Sequence, residues 1–266
     1  MVTGELVGAL AMTEPSTGSD VQRIKTRATR DGNAYKLSGQ KTFISNGQHA
    51  NLIIVAAKTD SSKGSKGVSL VVIETDGAEG FQRGRNLDKV GLHAADTSEL
   101  FFDNVNIPPE NILGGEEGQG FYQMMKQLPQ ERLAIACGAI GAMEGAVERT
   151  IGYCKEREAF GGPLTQFQNT RFKLAECKTK TTVARAFLNE CMEEHLRGSL
   201  SVEKAAMAKY WLTDTQGEVL DDCVQLHGGY GFMVEYGVGE MWSDARVQRI
   251  YGGTNEIMKE LIARSL

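Results

Sequence analysis

Residues 174–191 read LAECKTKTTVARAFLNEC. Within this stretch Leu174, Cys177, Thr181, Ala184, Leu188 and Cys191 recur at intervals of 3, 4, 3, 4 and 3. At 3.6 residues per turn those positions fall on one stripe. The segment therefore reads as a helix that buries one side against a partner helix. No proline follows Pro163, so the same grammar extends in both directions. Helices are expected over about 118–158, 164–197, 202–226, 238–249 and 254–265. Gly198 and Gly228-Gly229 are suitable stops, because glycine accepts the left-handed conformation that ends a helix. Pro129 should kink or interrupt the first helix, since proline removes a donor and crowds the preceding turn.

The punctuation changes before about residue 118. Asn51–Thr59 (NLIIVAAKT), Gly67–Thr75 (GVSLVVIET) and Ser98–Asn104 (SELFFDN) are short runs rich in Val, Ile and Phe, bounded by turn residues. Such runs read as strands. Asp31-Gly32-Asn33 separates Arg27–Arg30 from Tyr35–Leu37 and reads as a hairpin turn. Ser61–Lys66 (SSKGSK) reads as an exposed connection. The chain is therefore expected to be α+β: consecutive, mostly antiparallel strands over 1–117, then an all-helical domain over 118–266. No internal repeat is present.

Composition excludes several classes. The 266 residues carry 29 Lys plus Arg against 34 Asp plus Glu, a net charge of −5. Nucleic-acid binding needs clustered cations, and none cluster here. No apolar run approaches the roughly 20 residues of a membrane span. No cationic start followed by an apolar stretch argues for secretion. Cys137, Cys154, Cys177, Cys191 and Cys223 are odd in number and lack a CxxC pair. They read as reduced thiols, mostly core residues. His49, His93, His195 and His227 lack metal-ligand spacing, and no GxSxG elbow occurs. Neither a zinc site nor a serine hydrolase is expected.

Six local strings carry more than grammar. They are Ala11–Asp20 (AMTEPSTGSD), Lys41–Gly47 (KTFISNG), Glu131–Ile135 (ERLAI), Arg157–Gly161 (REAFG), Gln225–Gly229 (QLHGG) and Ile250–Glu256 (IYGGTNE). In this order and at these separations they resemble the acyl-CoA dehydrogenases, most closely the long-chain type, across essentially the whole chain. The resemblance implies an antiparallel β-barrel-like middle domain followed by a four-helix bundle. It also implies an N-terminal helical domain of roughly 110–130 residues, on the usual domain scale, that this sequence does not contain. The implied reaction is FAD-dependent α,β-dehydrogenation of a medium- or long-chain acyl-CoA to the trans-2-enoyl-CoA. A base takes the Cα proton and a hydride leaves Cβ for the flavin N5. Electrons would pass to an electron-transferring flavoprotein. The protein would be a homotetramer, cytoplasmic if bacterial and in the mitochondrial matrix if eukaryotic.

The same resemblance assigns roles. Leu10, Ala11, Met12 and Thr13 would lie along the flavin ring, with donors toward its polar edge. Ser19 would reach the pantetheine. Ser16-Thr17 departs mildly from the Gly-Ala usual in this loop. Phe43, Ile44 and Ser45 would pack beside the flavin. Arg157, Phe160 and Gln168 would clasp the adenosine-pyrophosphate half of FAD from a neighbouring subunit, where a guanidinium suits pyrophosphate by charge and shape. Gln225, Leu226, His227, Gly228 and Gly229 would form a second clasp. Thr254, Asn255 and Glu256 would contact FAD at the start of the last helix. Tyr122 and Arg132 would touch substrate, and Gly252 and Gly253 would leave space near the thioester.

Most members carry the base at the position of Gly252, which cannot accept a proton. A minority carry it on the first bundle helix, where this chain has Glu131. Glu131 is therefore expected to be the base, with Glu256 as the rival carboxylate and Glu14 as structural. A neighbouring backbone N–H, of Gly252 or Gly253, would polarise the thioester carbonyl. Two other readings stay open at this level. A flavin oxidase or monooxygenase of the same fold would reoxidise rapidly in air, and a non-catalytic paralogue or fragment would not take up FAD.

Overall fold

The computed structural model describes all 266 residues, Met1–Leu266. The chain divides into two compact units, Met1–Lys126 and Gln127–Leu266.

The first unit is a seven-stranded sheet made of β1 (Gly8–Ala11), β2 (Arg27–Asp31), β3 (Ala34–Ser45), β4 (Leu52–Lys58), β5 (Val68–Glu74), β6 (Phe81–Asn86) and β7 (Thr97–Ile107). Its order is β1-β4-β2-β3-β7-β6, with β5 also on β4. The β2–β3 hairpin turns through Gly32-Asn33, Asp31 facing Ala34, and Gly32 sits at φ 59°. The turn forms there because glycine takes positive φ without steric cost. Buried residues alternate as the pleat requires: Tyr35 and Leu37 on β3; Ser98, Leu100 and Phe102 on β7. Tyr35, Leu37, Leu100 and Phe102 form one cluster with Ile53, Val55 and Val71.

Antiparallel pairing dominates, as the sequence suggests, but the sheet is mixed. β1 runs parallel to β4, Gly8 facing Leu52 and Ala11 facing Val55. β2 also meets β4 in parallel, through the single pair Arg27 and Lys58. A parallel pair needs a long crossover, and here the intervening chain is the β2–β3 hairpin. Nothing local in residues 8–11 announces such a partner.

The second unit is helical. It contains most of α1 (Gly120–Glu156), then a minimal hairpin of β8 (Glu158–Ala159) and β9 (Gly162–Pro163). α2 (Gln168–Leu196), α3 (Val202–His227), α4 (Val238–Ala245) and α5 (Asn255–Ala263) follow. The helical segments thus stand where the periodicity places them. The buried stripe of α2 is Cys177, Thr181, Ala184, Leu188 and Cys191. It shares one core with Leu133, Ile140 and Met143 of α1, Leu212 and Leu220 of α3, and Val238 of α4. Each such side chain contributes about 1.5–3 kcal/mol by leaving water. The architecture is three long helices and two short ones, so a four-helix bundle describes it only loosely. Ser201 caps α3 by accepting the Lys204 N–H at 3.0 Å, and Gly198 and Gly228 leave their helices at positive φ.

The interruption expected as one outcome at Pro129 does not occur. α1 runs uninterrupted through it. Proline forfeits one hydrogen bond, but the helix is fastened on either side of it. Met124 packs with Ile24, Val68 and Leu70 in the first unit, and Leu133 lies in the core of the second. The boundary between units falls at Lys126/Gln127, within this helix.

No helix is long and apolar enough to cross a membrane. No group of three or more His, Cys, Asp or Glu side chains could hold a metal ion.

Candidate active site

In the first unit, β1 ends at Ala11 and leads into Met12 and Thr13. Leu10 is exposed and Ala11 fully buried. The loop is fastened by its carbonyls. Lys41 Nζ donates to the Met12 carbonyl at 2.9 Å, and the Thr42 N–H donates to the Thr13 carbonyl at 2.9 Å. The Thr13 N–H itself has no acceptor in the chain. Glu14, expected to be structural, is buried and pairs with buried Lys41 at 3.0 Å. It also accepts the N–H groups of Lys25 (2.6 Å) and Thr26 (2.9 Å). Burial pushes the Glu14 carboxyl up, but Lys41 and these N–H groups outweigh it, and the group lies below its usual range. Burial brings the Lys41 ammonium down to about 8 against the pull of Glu14. Glu14 and Thr17 bond to each other in a tight turn, and Ser19 emerges exposed just beyond it.

Phe43 has φ 59° and is 67% exposed. It lies where the β3–β7 register shifts, between Lys41 and Ile44. A left-handed aromatic costs about 1–3 kcal/mol and persists where its surroundings demand it. Ser45 is also exposed. Ile44, grouped with them in the sequence, instead points into the sheet core, so its side chain is unavailable to a ligand. Tyr122, in the first turn of α1, is exposed.

In the second unit two groups of candidates assemble. The first surrounds the turn Gly252-Gly253. Arg132, 4% exposed, donates from Nε to the Gly252 carbonyl at 3.3 Å. Ile135, one turn along α1 from Glu131 and so on the same helix face, fills the space beside Gly252. A Cβ on Gly252 would lie 2.5 Å from Ile135 Cδ1. On that side a side chain at Gly252 would push against the tip of Ile135, and φ of 65° and 89° at Gly252 and Gly253 further restricts this turn to glycine. The N–H groups of both glycines have no acceptor in the chain.

Glu131 is solvent-accessible, and its carboxylate has no hydrogen-bond or ion-pair partner. Desolvation by surrounding protein atoms raises its pKa, and adjacent Arg132 opposes the rise. That is the direction a general base needs. Glu256, the rival, lies exposed in the first turn of α5, and its pKa is lowered by a backbone hydrogen bond and by Thr254. Thr254 caps α5 by accepting the Ile257 N–H at 3.3 Å.

Sequence reading missed Lys209. It is fully buried on α3 and donates to the Gly253 carbonyl (2.8 Å) and to Asn255 Oδ1 (2.8 Å). Asn255 Nδ2 donates in turn to Asp214 Oδ1 and Thr213 Oγ1, both at 3.0 Å. The Asn255 side chain is thus used within the protein. Burial, then the charge of Arg132, brings Lys209 down to about 8. The signal was a lysine in the buried stripe of a helix, between Ala205 and Leu212, where charge is rare without a partner.

The second group lines a cleft of about 520 Å³ that joins Arg157 with Gln225, Leu226, His227, Gly228 and Gly229. Arg157 makes no ion pair; its guanidinium lies 5.5 Å from the Tyr230 ring centre. A Cβ on Gly228 or Gly229 would meet nothing within 4 Å, so a ligand can approach that backbone. The His227 ring is buried against Tyr153, centroids 4.2 Å apart, with Nδ1 at 2.8 Å from the Cys223 carbonyl. Phe160 and Gln168 do not line the cleft. Phe160-Gly161 forms the two-residue loop of β8–β9, at φ 52° and 90°, and Phe160 is 96% exposed at its tip. Gln168 begins α2, also exposed. At this cleft a guanidinium without an ion pair and an open glycine backbone suit a phosphate-bearing ligand.

Both units also resemble known proteins. The profile of the acyl-CoA dehydrogenase middle domain matches residues 9–105, and that of the acyl-CoA dehydrogenase C-terminal domain matches 118–266. The mitochondrial long-chain specific acyl-CoA dehydrogenase of Sus scrofa is 49% identical over all of this chain, which spans 62% of that protein. The short-chain specific enzyme of Megasphaera elsdenii is 40% identical over 97% of this chain and 67% of its own length. The crystal structure of an acyl-CoA dehydrogenase from Geobacillus kaustophilus superposes with a TM-score of 0.97 at 49% identity, covering 99% of this chain and 70% of that one. Two domain profiles in the order of the two units, and the same fold at 49% identity, lead to one conclusion: this chain belongs to the acyl-CoA dehydrogenase family.

Proposed function

We propose that the protein dehydrogenates a medium- or long-chain fatty acyl-CoA to its trans-2-enoyl-CoA, with Glu131 as the base. The observation that carries the assignment is the state of Glu131. It is an unpaired carboxylate with a raised pKa, one helical turn from the residue that packs on Gly252. Gly252 itself offers no base. When bound, FAD supplies the hydride acceptor. Glu131 takes the Cα proton, and that proton is acidic only while the thioester carbonyl is polarised. The free N–H groups of Gly252 and Gly253 are suited to that task, since fixed donors stabilise developing enolate charge without reorganising. Arg157 and the open backbone at Gly228-Gly229 would hold pyrophosphate. Thr13, Phe43 and Ser45 would face the flavin. Exposed, strained Phe160 suits a contact with a neighbouring subunit, in keeping with a homotetramer.

The preference for longer chains rests on the higher identity to the long-chain enzyme, 49% against 40% for the short-chain one. An electron-transferring flavoprotein is the proposed acceptor of the electrons. The compartment would be cytoplasm or mitochondrial matrix, following the origin of the protein.

The test is Glu131→Gln in the flavin-loaded protein, titrated anaerobically with acyl-CoAs of increasing length while flavin absorbance is followed. Loss of a general base should slow bleaching by at least about 10²-fold. A rate near that of the wild type would remove Glu131 from the mechanism.

A further inference from the structure

The turn Gly252-Gly253 combines two features that conflict unless something else resolves them. Glycine is the residue with most conformational freedom, yet a donor that polarises a carbonyl must be fixed in advance. The carbonyls on both sides of Gly253 are held. Arg132 grips the Gly252 carbonyl at 3.3 Å, and Lys209 grips the Gly253 carbonyl at 2.8 Å. In a trans peptide the C=O and the following N–H lie in one plane and point opposite ways. Gripping the Gly252 carbonyl therefore aims the Gly253 N–H, and gripping the Gly253 carbonyl aims the Thr254 N–H. With both flanking planes fixed, φ and ψ of Gly253 have no freedom left.

Arg132 also neighbours the candidate base in sequence and reaches the turn from α1. Lys209 does neither. It reaches the turn from within α3, fully buried, and its second acceptor, Asn255, anchors it to Thr213 and Asp214. A buried lysine whose direct acceptors are a carbonyl and an amide oxygen is a costly way to hold a loop. A neutral donor would suffice for packing alone.

Resting on the acyl-CoA reading above, we propose that Lys209 is a positioning residue: by holding the Gly253 carbonyl while Arg132 holds the Gly252 carbonyl, it fixes the conformation of the turn from which the Gly253 N–H would polarise the thioester carbonyl. It touches no reacting atom; it acts through the Gly253 carbonyl. Its contribution is made mainly in the transition state, where negative charge on the thioester oxygen is greatest.

The experiment uses the flavin-loaded protein and palmitoyl-CoA labelled with 13C at the thioester carbon. Steady-state kinetics compare wild type, Lys209→Gln and Lys209→Met. The labelled carbonyl stretch is read by infrared difference spectroscopy in the Glu131→Gln background, with and without each Lys209 change. Lys209→Met should lower kcat by about 10- to 10²-fold with little change in KM. The carbonyl stretch should move back toward its frequency in water. Lys209→Gln keeps a donor and should fall between the two; it carries the comparison if Lys209→Met does not fold. A folded variant with reduced melting temperature but unchanged stretch and kcat overturns the positioning role. Wild-type protein that neither bleaches with any acyl-CoA nor shifts the carbonyl stretch overturns the acyl-CoA reading, and this proposal with it.

Discussion

The β unit and the helical unit solve one problem with the same residue type and different partners. In each, a fully buried lysine pins a backbone carbonyl beside candidate site residues: Lys41 on Met12, Lys209 on Gly253. Each lysine is brought to about pH 8 by burial. Lys41 has a buried carboxylate, Glu14, at 3.0 Å, and Glu14 in turn collects two backbone N–H groups. Lys209 has only neutral oxygens in direct contact; beyond them Arg132 adds a like charge, and Asp214 and Glu256 add opposite ones. The first arrangement is a closed ionic lock. The second sets a lysine with no direct ion pair under a turn with unpaired N–H groups. A lysine in a direct ion pair suits a loop that must only be held; on the proposed function, one without such a partner suits a turn beside which negative charge develops.

The difference can be broken from the ionic side. Lys41→Met strands the buried Glu14 carboxylate and should cost about 3–5 kcal/mol of stability, read from urea unfolding. Lys41→Met combined with Glu14→Gln should recover much of that loss. Equal instability of the single and double variants would show that charge is not what is being satisfied.

A smaller effect sharpens the helical side. Gly252→Ala places a Cβ 2.5 Å from Ile135 Cδ1 at φ 65°. It should cost about 1–3 kcal/mol. Adding Ile135→Val should relieve the crowding but not the backbone strain. Complete recovery in that double variant would remove backbone conformation as a cause.

The mildest test is a pH profile. The Lys209 ammonium titrates at about 8 in the fold against an ordinary 10.5. Between those values the unfolded chain binds more protons than the folded one, so this group's contribution to stability rises with pH. The stability of wild type relative to Lys209→Met should therefore grow from about pH 8 to 10. A flat difference would mean that Lys209 is not perturbed.

Much of this was legible in the residues. The 3-4 spacing of α2 named its buried stripe, and the Asp31-Gly32-Asn33 turn named the hairpin. These are local signals, set by neighbours within a turn or two. Local signals could not show that Gly8–Ala11 pairs in parallel with β4, since its partner lies some forty residues on and β1 has no periodicity of its own. Nor could they show that α1 survives Pro129, because packing on either side holds it. Resemblance brought Glu131, Arg132 and the glycine turn into view. It left Lys41 and Lys209 unremarked, because a buried lysine is recognised by what surrounds it. Ile44 shows the reverse: its motif position suggested a ligand contact, while the strand's alternation turned its side chain into the core.

The close fit of Ile135 against Gly252 has a historical reading. On the proposed assignment of Glu131, moving the base from α1 to the turn is not a one-step exchange in this chain. A carboxylate at position 252 would need a smaller residue at position 135 and relief from left-handed backbone before it could serve. Losing Glu131 first would leave no base at all. Whichever change came first, the intermediate would be crowded or idle.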